Sequence, residues 1–333
     1  MQTGILALLG KTVTLMENLG FLWLVHTGFE LDLWKLLQQE RSKEELLELN
    51  PEWDPILLDH WLEQAKIQGL ILQTDSKYSL TRIGKAVDFY RDFGLEAMYK
   101  EFVLYWGPIF AGLPSRITGQ LSPVQMESEM ENELISKASR ASEHFAWPLL
   151  KAKCEKEHWR RILDVGCGEG IYLRKLIEEF PKVQGVGVDV NSSVVERARL
   201  LAKPFEDRLQ FNCLNILDQD APVEKYDCCL LNNNLYYFST EQRIELIEQI
   251  KTWLVPGGWI GILTALRGEN SSIPFIQTHI PQNLMSFFLA CHKGFEGLPY
   301  KQGVRNLLQD SGFCEIEVIP LPLKVSHYFF ART

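Results

Sequence analysis

The chain has 333 residues, with 43 acidic against 34 basic side chains and a formal net charge of −9. That length predicts more than one domain and a sizeable core, and the acidic balance argues against a nucleic-acid or anionic-membrane partner. The seven cysteines form no C-x-x-C pair and no zinc spacing, the usage expected of free thiols in a reducing cytoplasm. Met1-Gln2-Thr3 lacks the basic start of a leader peptide. Lys11, Glu17, His26, Glu30 and Asp32 interrupt the apolar N-terminal stretch, so no membrane span is predicted there.

Residues Leu15–Leu37 are apolar at helical spacing, with Phe21, Trp23, Phe29 and Trp34 adding bulk. Ser42 followed by Glu45 is a capping box that opens a short helix. Asp54-Pro55 opens another over Ile56–Gln68, with proline at its favoured first turn, and Gly69 ends it. Leu70–Gln73 and Tyr78–Thr81 read as two strands around the turn Thr74–Lys77. Helix, helix and hairpin in that order predict a winged-helix module over residues 1–103. A nucleic-acid reader would need cations on its second helix, but Asp59 and Glu63 there face Lys66 alone. The module is therefore expected to dimerise, because its apolar stripe is too broad for one small domain to bury. A core helix within the monomer is the other reading of the same stripe.

Residues 104–158 are broken into turns by Tyr105-Trp106-Gly107-Pro108 and Leu121-Ser122-Pro123, and become helical around Ser142–Leu150. Phe145 and Trp147 are either pocket aromatics or ordinary core.

From residue 159 to 333 the pattern changes. Ile162–Val165 is an apolar strand carrying Asp164, followed by Gly166-Cys167-Gly168-Glu169-Gly170 and a helix beginning near Ile171. Glycine at every second position suits a backbone with φ > 0 and a ligand lying against bare main chain. A carboxylate at the strand end would repel a pyrophosphate, but it suits a ligand bearing an ammonium and a sulfonium, which points to S-adenosyl-L-methionine (SAM). Gln184–Asp189 is a second buried strand ending in an acid. Asp189, beside Val190, is placed to accept the two hydroxyls of a ribose, and Ser192 or Ser193 is expected to cap the next helix. A third strand, Leu209–Cys213, leads into Asn215 and Ile216. A fourth begins at Tyr226 and ends in Asn232-Asn233-Asn234. A fifth, Trp259–Thr264, follows a Pro256-Gly257-Gly258 turn. Alternating strands and helices predict an α/β fold, a doubly wound Rossmann-like sheet with ligands at the carboxyl ends of its strands.

In order and spacing these motifs resemble those of class I SAM-dependent methyltransferases, and the end of the chain, Gly312–Ile319 with Val325–Phe330, resembles the antiparallel last hairpin of that fold. With the winged helix, and Leu80-Thr81-Arg82-Ile83-Gly84 following its hairpin, nearly the whole chain resembles the dimeric small-molecule O-methyltransferases. The resemblance implies SAM as cofactor, a small-molecule substrate and a homodimer joined through the N-terminal helices. Asp164, Gly166, Gly168 and Gly170 would line the methionine portion, Asp189 and Val190 the ribose, and Asn215 and Ile216 the adenine. Asn232 would stand at the strand-four end of the same site. Many relatives have aspartate where Asn215 stands. Residues 104–158 would form a helical linker that contributes to the substrate pocket.

The same family typically ends strand four in a histidine–aspartate pair, the histidine deprotonating a phenol. Here Tyr236 and Tyr237 take that place, and a tyrosine of pKa about 10 is a poor general base but a serviceable hydrogen-bond partner. The remaining candidates, His279 and His292, are too far apart in sequence for a helical metal pair. Three readings stay open: an acceptor needing no strong base, such as an enolisable carbon or an acidic hydroxyl; a base supplied by another residue; or a metal, as in iron-holding C-methyltransferases of this architecture, although Asn233 or Asn234 would be a poor iron ligand. No metal is expected.

Overall fold

A computed structural model describes residues 2–124, 129–218, 225–267, 280–321 and 326–333, with side chains described throughout these except at 2–4, 7, 129–141 and 280–284. The chain divides into two compact units, residues 1–108 and 109–333. Residues 109–158 thus cluster with the second unit, where the sequence suggested a separate linker from 104. The reason is packing: Ala146, Leu150 and Cys154 are buried in the core of the large sheet.

The first unit runs α1 Gln2–Glu30, α2 Leu33–Leu36, β1 Arg41–Ser42, α3 Lys43–Leu49, α4 Pro55–Ile67, β2 Ile71–Thr74, β3 Lys77–Leu80, α5 Arg82–Phe89 and α6 Glu96–Lys100. Its three strands pair in the order β1-β3-β2, a winged helix. Both predicted caps form. Ser42 Oγ accepts from Glu45 N at 3.2 Å while Glu45 Oε2 accepts from Ser42 N at 2.6 Å, and Asp54 Oδ1 accepts from Ile56 and Leu57 N–H. Val25, Phe29, Leu33, Trp34, Leu62 and Leu70 make the core. Gly28 lies flat against the Trp34 indole, where a Cβ would collide with the ring.

Helix α1 is bare over most of its length. Its burial is confined to Leu24–Phe29, and every described residue from Ile5 to Gly20 is exposed. By length and composition alone Leu8–Glu30 is apolar enough to cross a membrane, and most of it is exposed. After α6, a π-helical stretch Glu101–Trp106 carries a partly buried carboxyl, that of Glu101. Trp106 Nε1 donates to Glu101 Oε1 at 3.0 Å, and burial pushes that carboxyl up to about 7.

The chain continues through α7 Gly107–Ala111 into the second unit: α8 Leu113–Ile117, α9 Glu129–Glu157, β4 Arg161–Val165, α10 Ile171–Glu179, β5 Gln184–Asp189, α11 Ser192–Ala202, β6 Leu209–Cys213, β7 Tyr226–Asn232, α12 Thr240–Trp253, β8 Leu254–Ala265, α13 Ile280–Leu289, α14 Lys301–Asp310, β9 Cys314–Pro320 and β10 Ser326–Arg332. The sheet order is β6-β5-β4-β7-β8-β10-β9. The first five strands in that order are parallel, while β10 is antiparallel to both β8 and β9. Strands covered on both faces read as unbroken apolar runs. Cys228 and Cys229 are both fully buried and belong to the two opposite core layers, as alternation along a strand requires. From β4 the chain winds outward through β5 and β6, then returns to β7 on β4's other side. This reversal opens a crevice at the carboxyl end of β4.

Two local readings are corrected. Asn191, not a serine, caps α11, its Oδ1 accepting from Ser193 N and Val194 N at 3.0 and 3.3 Å. The Pro256-Gly257-Gly258 segment does not precede strand five but lies inside β8, where the pairing with β7 shifts register between Tyr226 and Cys228.

Candidate active site

The crevice beyond β4 holds a cavity of about 590 Å³. Gly166 and Gly168 on its floor take φ of +66° and +54°. A Cβ on Gly166 would strike the Asn234 amide, which donates to the Val165 carbonyl. The loop is tied to the next strand, since Gly166 N and Cys167 N both donate to Val188 O at 2.8 and 3.0 Å. Asp189 secures it from the side, its Oδ2 accepting from Gly168 N and its Oδ1 from Asn191 N, each at 3.0 Å. A carboxylate has lone pairs left over after two such bonds, so Asp189 can still accept from a ligand.

Asp164 has a different environment. Its side chain is 1% exposed and its Oδ1 has no hydrogen-bond partner. Burial pushes this carboxyl up to about 8, the nearby Asp189 adds to the push, and the Asn232 amide opposes both. Asn232 is oriented by Tyr328, whose hydroxyl donates to Asn232 Oδ1 at 2.8 Å. The amide nitrogen is thereby left buried without a full partner. Asp164 Oδ1 and the Asn232 amide nitrogen thus lie buried in one cavity with bonding capacity to spare, an arrangement proteins keep where a ligand satisfies both.

Asp164, Gly166, Gly168, Asp189, Val190, Asn215, Ile216 and Asn232 all line this cavity, and so does Tyr236. Gly170 is not among the lining residues. Its φ is +70° and its bare Cα accommodates the Phe211 ring of β6, so this glycine serves packing. Asn215 is also committed locally, with Nδ2 donating to Asp218 at 2.9 Å and Oδ1 accepting from Leu217 N at 3.3 Å. His279 lies outside the described residues. His292 is buried just beyond α13, its Nδ1 3.2 Å from the Leu289 carbonyl, and is not in the cavity lining. Phe145 and Trp147 are not in the lining either; Trp147 packs on the sheet core.

Sequence reasoning gave no role to the lining residues Glu169, Tyr172 and Phe238, and weighed Asn233 and Asn234 only as poor iron ligands. Glu169 could have been found from its place inside the glycine loop; it is 5% exposed and pairs with Arg197 Nε at 3.3 Å. Asn233 takes φ +58° and its Nδ2 donates to Ser142 of α9 at 3.1 Å, a tertiary contact with no sequence signature. The described lining carries the acids Asp164, Glu169 and Asp189 and no lysine, arginine or histidine. Among the described residues no group of three or more metal-ligating side chains comes together.

A family model described as a methyltransferase domain matches residues 162–258, from inside β4 to the glycines of β8. Residues 162–258 are a methyltransferase domain. The malonyl-[acyl-carrier protein] O-methyltransferase of Priestia megaterium is 28% identical over 169 residues, covering 50% of this chain and 57% of that protein. The chain spans 40–57% of the length of the first curated relatives it matches. Over the whole chain the fold is similar to that of an O-methyltransferase family protein from Burkholderia thailandensis, with a TM-score of 0.78, 16% identity and 97% of each chain covered. It is similar also to human N-acetylserotonin methyltransferase in complex with SAM, with a TM-score of 0.76, 16% identity and 98% of this chain and 97% of that one covered. The cofactor expected of such a domain is S-adenosyl-L-methionine. The residues present fit it: the unpaired Asp164 oxygen can meet a cation, the Asn232 amide a carboxylate, and the two-acid frame of Asp164 and Asp189 suits a ligand carrying a sulfonium.

Proposed function

We propose that this protein is an enzyme that methylates a small, largely aromatic or polyketide-like metabolite, with a hydroxyl that is already acidic as the acceptor. SAM supplies the electrophilic methyl group; the protein supplies position and exclusion of water. Asp164 and Asn232 hold the amino-acid end, and Asp189 with Val190 the ribose. Ile216 packs on the adenine, with Asn215 shaping the turn beside it. Tyr236, whose ring tilts against Tyr237 at 4.7 Å between centroids, hydrogen-bonds the acceptor oxygen. The observation that carries this reading is Tyr236 lining the cofactor cavity where the resembling O-methyltransferases place a histidine base. No histidine lines that cavity among the described residues, which favours an acceptor that needs no strong base. The same observation supports a second reading, methylation of an enolisable carbon, with or without a metal.

The enzyme works as a homodimer through α1, whose apolar residues Leu8, Leu9, Val13, Leu15, Met16 and Leu19 are all exposed. Its seven free thiols suit the cytoplasm. The decisive experiment incubates the protein with methyl-labelled SAM and a metabolite extract, with and without a chelator, and locates the label by NMR. Label on oxygen, unaffected by chelation, supports the first reading; label on carbon, or turnover lost on chelation and restored by iron, replaces it.

A further inference from the structure

The turn that carries Tyr236 is braced from outside. Leu235–Tyr237 is a single turn of 3-10 helix between β7 and α12, and Tyr236, Tyr237 and Phe238 line the cofactor cavity. Inside the turn, Tyr237 N donates to Asn234 O at 2.9 Å and Phe238 N to Leu235 O at 3.4 Å, a long bond. So short a 3-10 turn has poor hydrogen-bond geometry of its own. Just before it, Asn233 N donates to Leu263 O of β8 at 2.7 Å, and Asn234 Nδ2 to Val165 O. Just after it, Arg243 reaches back from the start of α12. Its Nε donates to Leu235 O at 3.0 Å and its Nη2 to Gly297 O at 3.1 Å. The loop holding Gly297 is anchored on both sides: Glu296 Oε2 accepts from Thr240 N, and Pro299 O accepts from Arg267 N, each at 2.9 Å.

This placement is unfavourable for a cation. Arg243 is half-buried near the positive end of α12, and burial lowers its pKa with Glu296 opposing. What offsets that cost is the pair of carbonyls, which a planar guanidinium can span and a lysine ammonium cannot. Arg243 is absent from the cofactor cavity lining and lines a separate cavity of about 500 Å³ between α12 and α14, so it touches neither cofactor nor acceptor. We infer that Arg243 is a positioning residue for methyl transfer, holding the Tyr236 hydroxyl at the acceptor through the Leu235 carbonyl, which rests on Tyr236 being the acceptor's hydrogen-bond partner. The residues assigned to SAM, namely Asp164, Asp189, Val190, Ile216 and Asn232, all lie outside the turn, so loosening it should spare the cofactor.

The test is a double-mutant cycle in the full-length protein, with methyl-labelled SAM and the metabolite extract as probe and label transfer at saturating SAM as readout. Arg243→Ala should lower turnover about threefold to tenfold, and no more than Tyr236→Phe does, since holding a hydroxyl cannot contribute more than the hydroxyl itself. In the Tyr236→Phe background the same substitution should cost less than about twofold more, because the group it positions is gone. Isothermal titration should show less than about a threefold change in affinity for SAM and for its demethylated product, S-adenosylhomocysteine (SAH). Arg243→Lys, which keeps the charge but loses the span, should show the same defects in smaller degree and serves if the alanine variant fails to fold. Hydrogen exchange supplies a readout that needs no acceptor: the Tyr237 and Phe238 amides should exchange faster in either variant, and those of β4 and β5 no faster. Losses that multiply in the double variant, unchanged turnover in Arg243→Ala, SAM affinity falling in step with turnover, or unchanged exchange at the turn each overturns the inference alone. Unchanged turnover in Tyr236→Phe overturns the reading of Tyr236 beneath it.

Discussion

The Tyr328 hydroxyl donates to Asn232 Oδ1 at 2.8 Å, joining the last strand of the sheet to the end of β7 across 96 residues, and both side chains are buried. This bond fixes which end of the amide faces the cavity, because a tyrosine hydroxyl that donates must meet the oxygen. Tyr328→Phe removes it and leaves the Asn232 oxygen buried without a partner. The expected cost is about 1–3 kcal/mol of stability in urea unfolding, together with a loss of SAM affinity of about threefold to tenfold as the amide becomes free to flip.

Asp189 is held by two backbone donors while lining the cavity. Asp189→Ala should weaken SAM and SAH alike by more than about tenfold, because it removes a ligand acceptor and frees the glycine loop. Equal weakening of both ligands is the signature of a ribose contact, which is common to the two molecules; titration calorimetry reads it directly.

Tyr236→Phe should lower kcat by about tenfold with the KM for SAM unchanged, the effect of one lost hydrogen bond rather than the about 100-fold or greater loss on removing a general base. His292→Ala should leave kcat alone and lower the melting temperature, because its ring is buried against the Leu289 carbonyl away from the cavity. Steady-state kinetics with the identified acceptor separates the two variants.

Glu101 gives the N-terminal unit a pH dependence. Its folded pKa, about 7, lies above the ordinary carboxyl value of 4.5 because burial disfavours the charge. The raised pKa means that the full stability contribution is present below about 4.5 and is lost as pH rises through 7. Unfolding followed by tryptophan fluorescence should therefore show stability falling between those values and then levelling off. Glu101→Gln, which can still accept from Trp106, should abolish the fall.

Light scattering on the intact protein should give twice the chain mass of 38.4 kDa. Leu15→Glu combined with Leu19→Glu, both on the exposed length of α1, should give the single-chain mass with unchanged circular dichroism. A monomer before any substitution would count against pairing through α1.

The sequence by itself determined whatever depends on near neighbours. The Ser42–Glu45 capping box, Pro55 at a helix start and the left-handed glycines of the loop after β4 all act within a few residues, so their chemistry is written in short spacings. The mostly apolar stretches of β4 and β7 declared a sheet covered on both faces, and with it the crevice at their carboxyl ends. Tertiary structure alone decided what distant residues do to one another. Gly170 reads as a ligand glycine until Phe211 arrives beside it from β6. Asn215 lines the cavity as its position suggests, but only the fold shows that Asp218 and Leu217 also engage its amide in a turn. The exposure of α1 could not be read from its composition, because an apolar helix looks the same in sequence whether its own domain covers it or leaves it bare. Asp164 shows the division most plainly. Its place at a strand end is a local fact, whereas its protonation depends on burial by the assembled sheet, on Asp189 one strand away and on an asparagine oriented by Tyr328. Desolvation and long-range charge are sums over the folded molecule, and no window of sequence contains them.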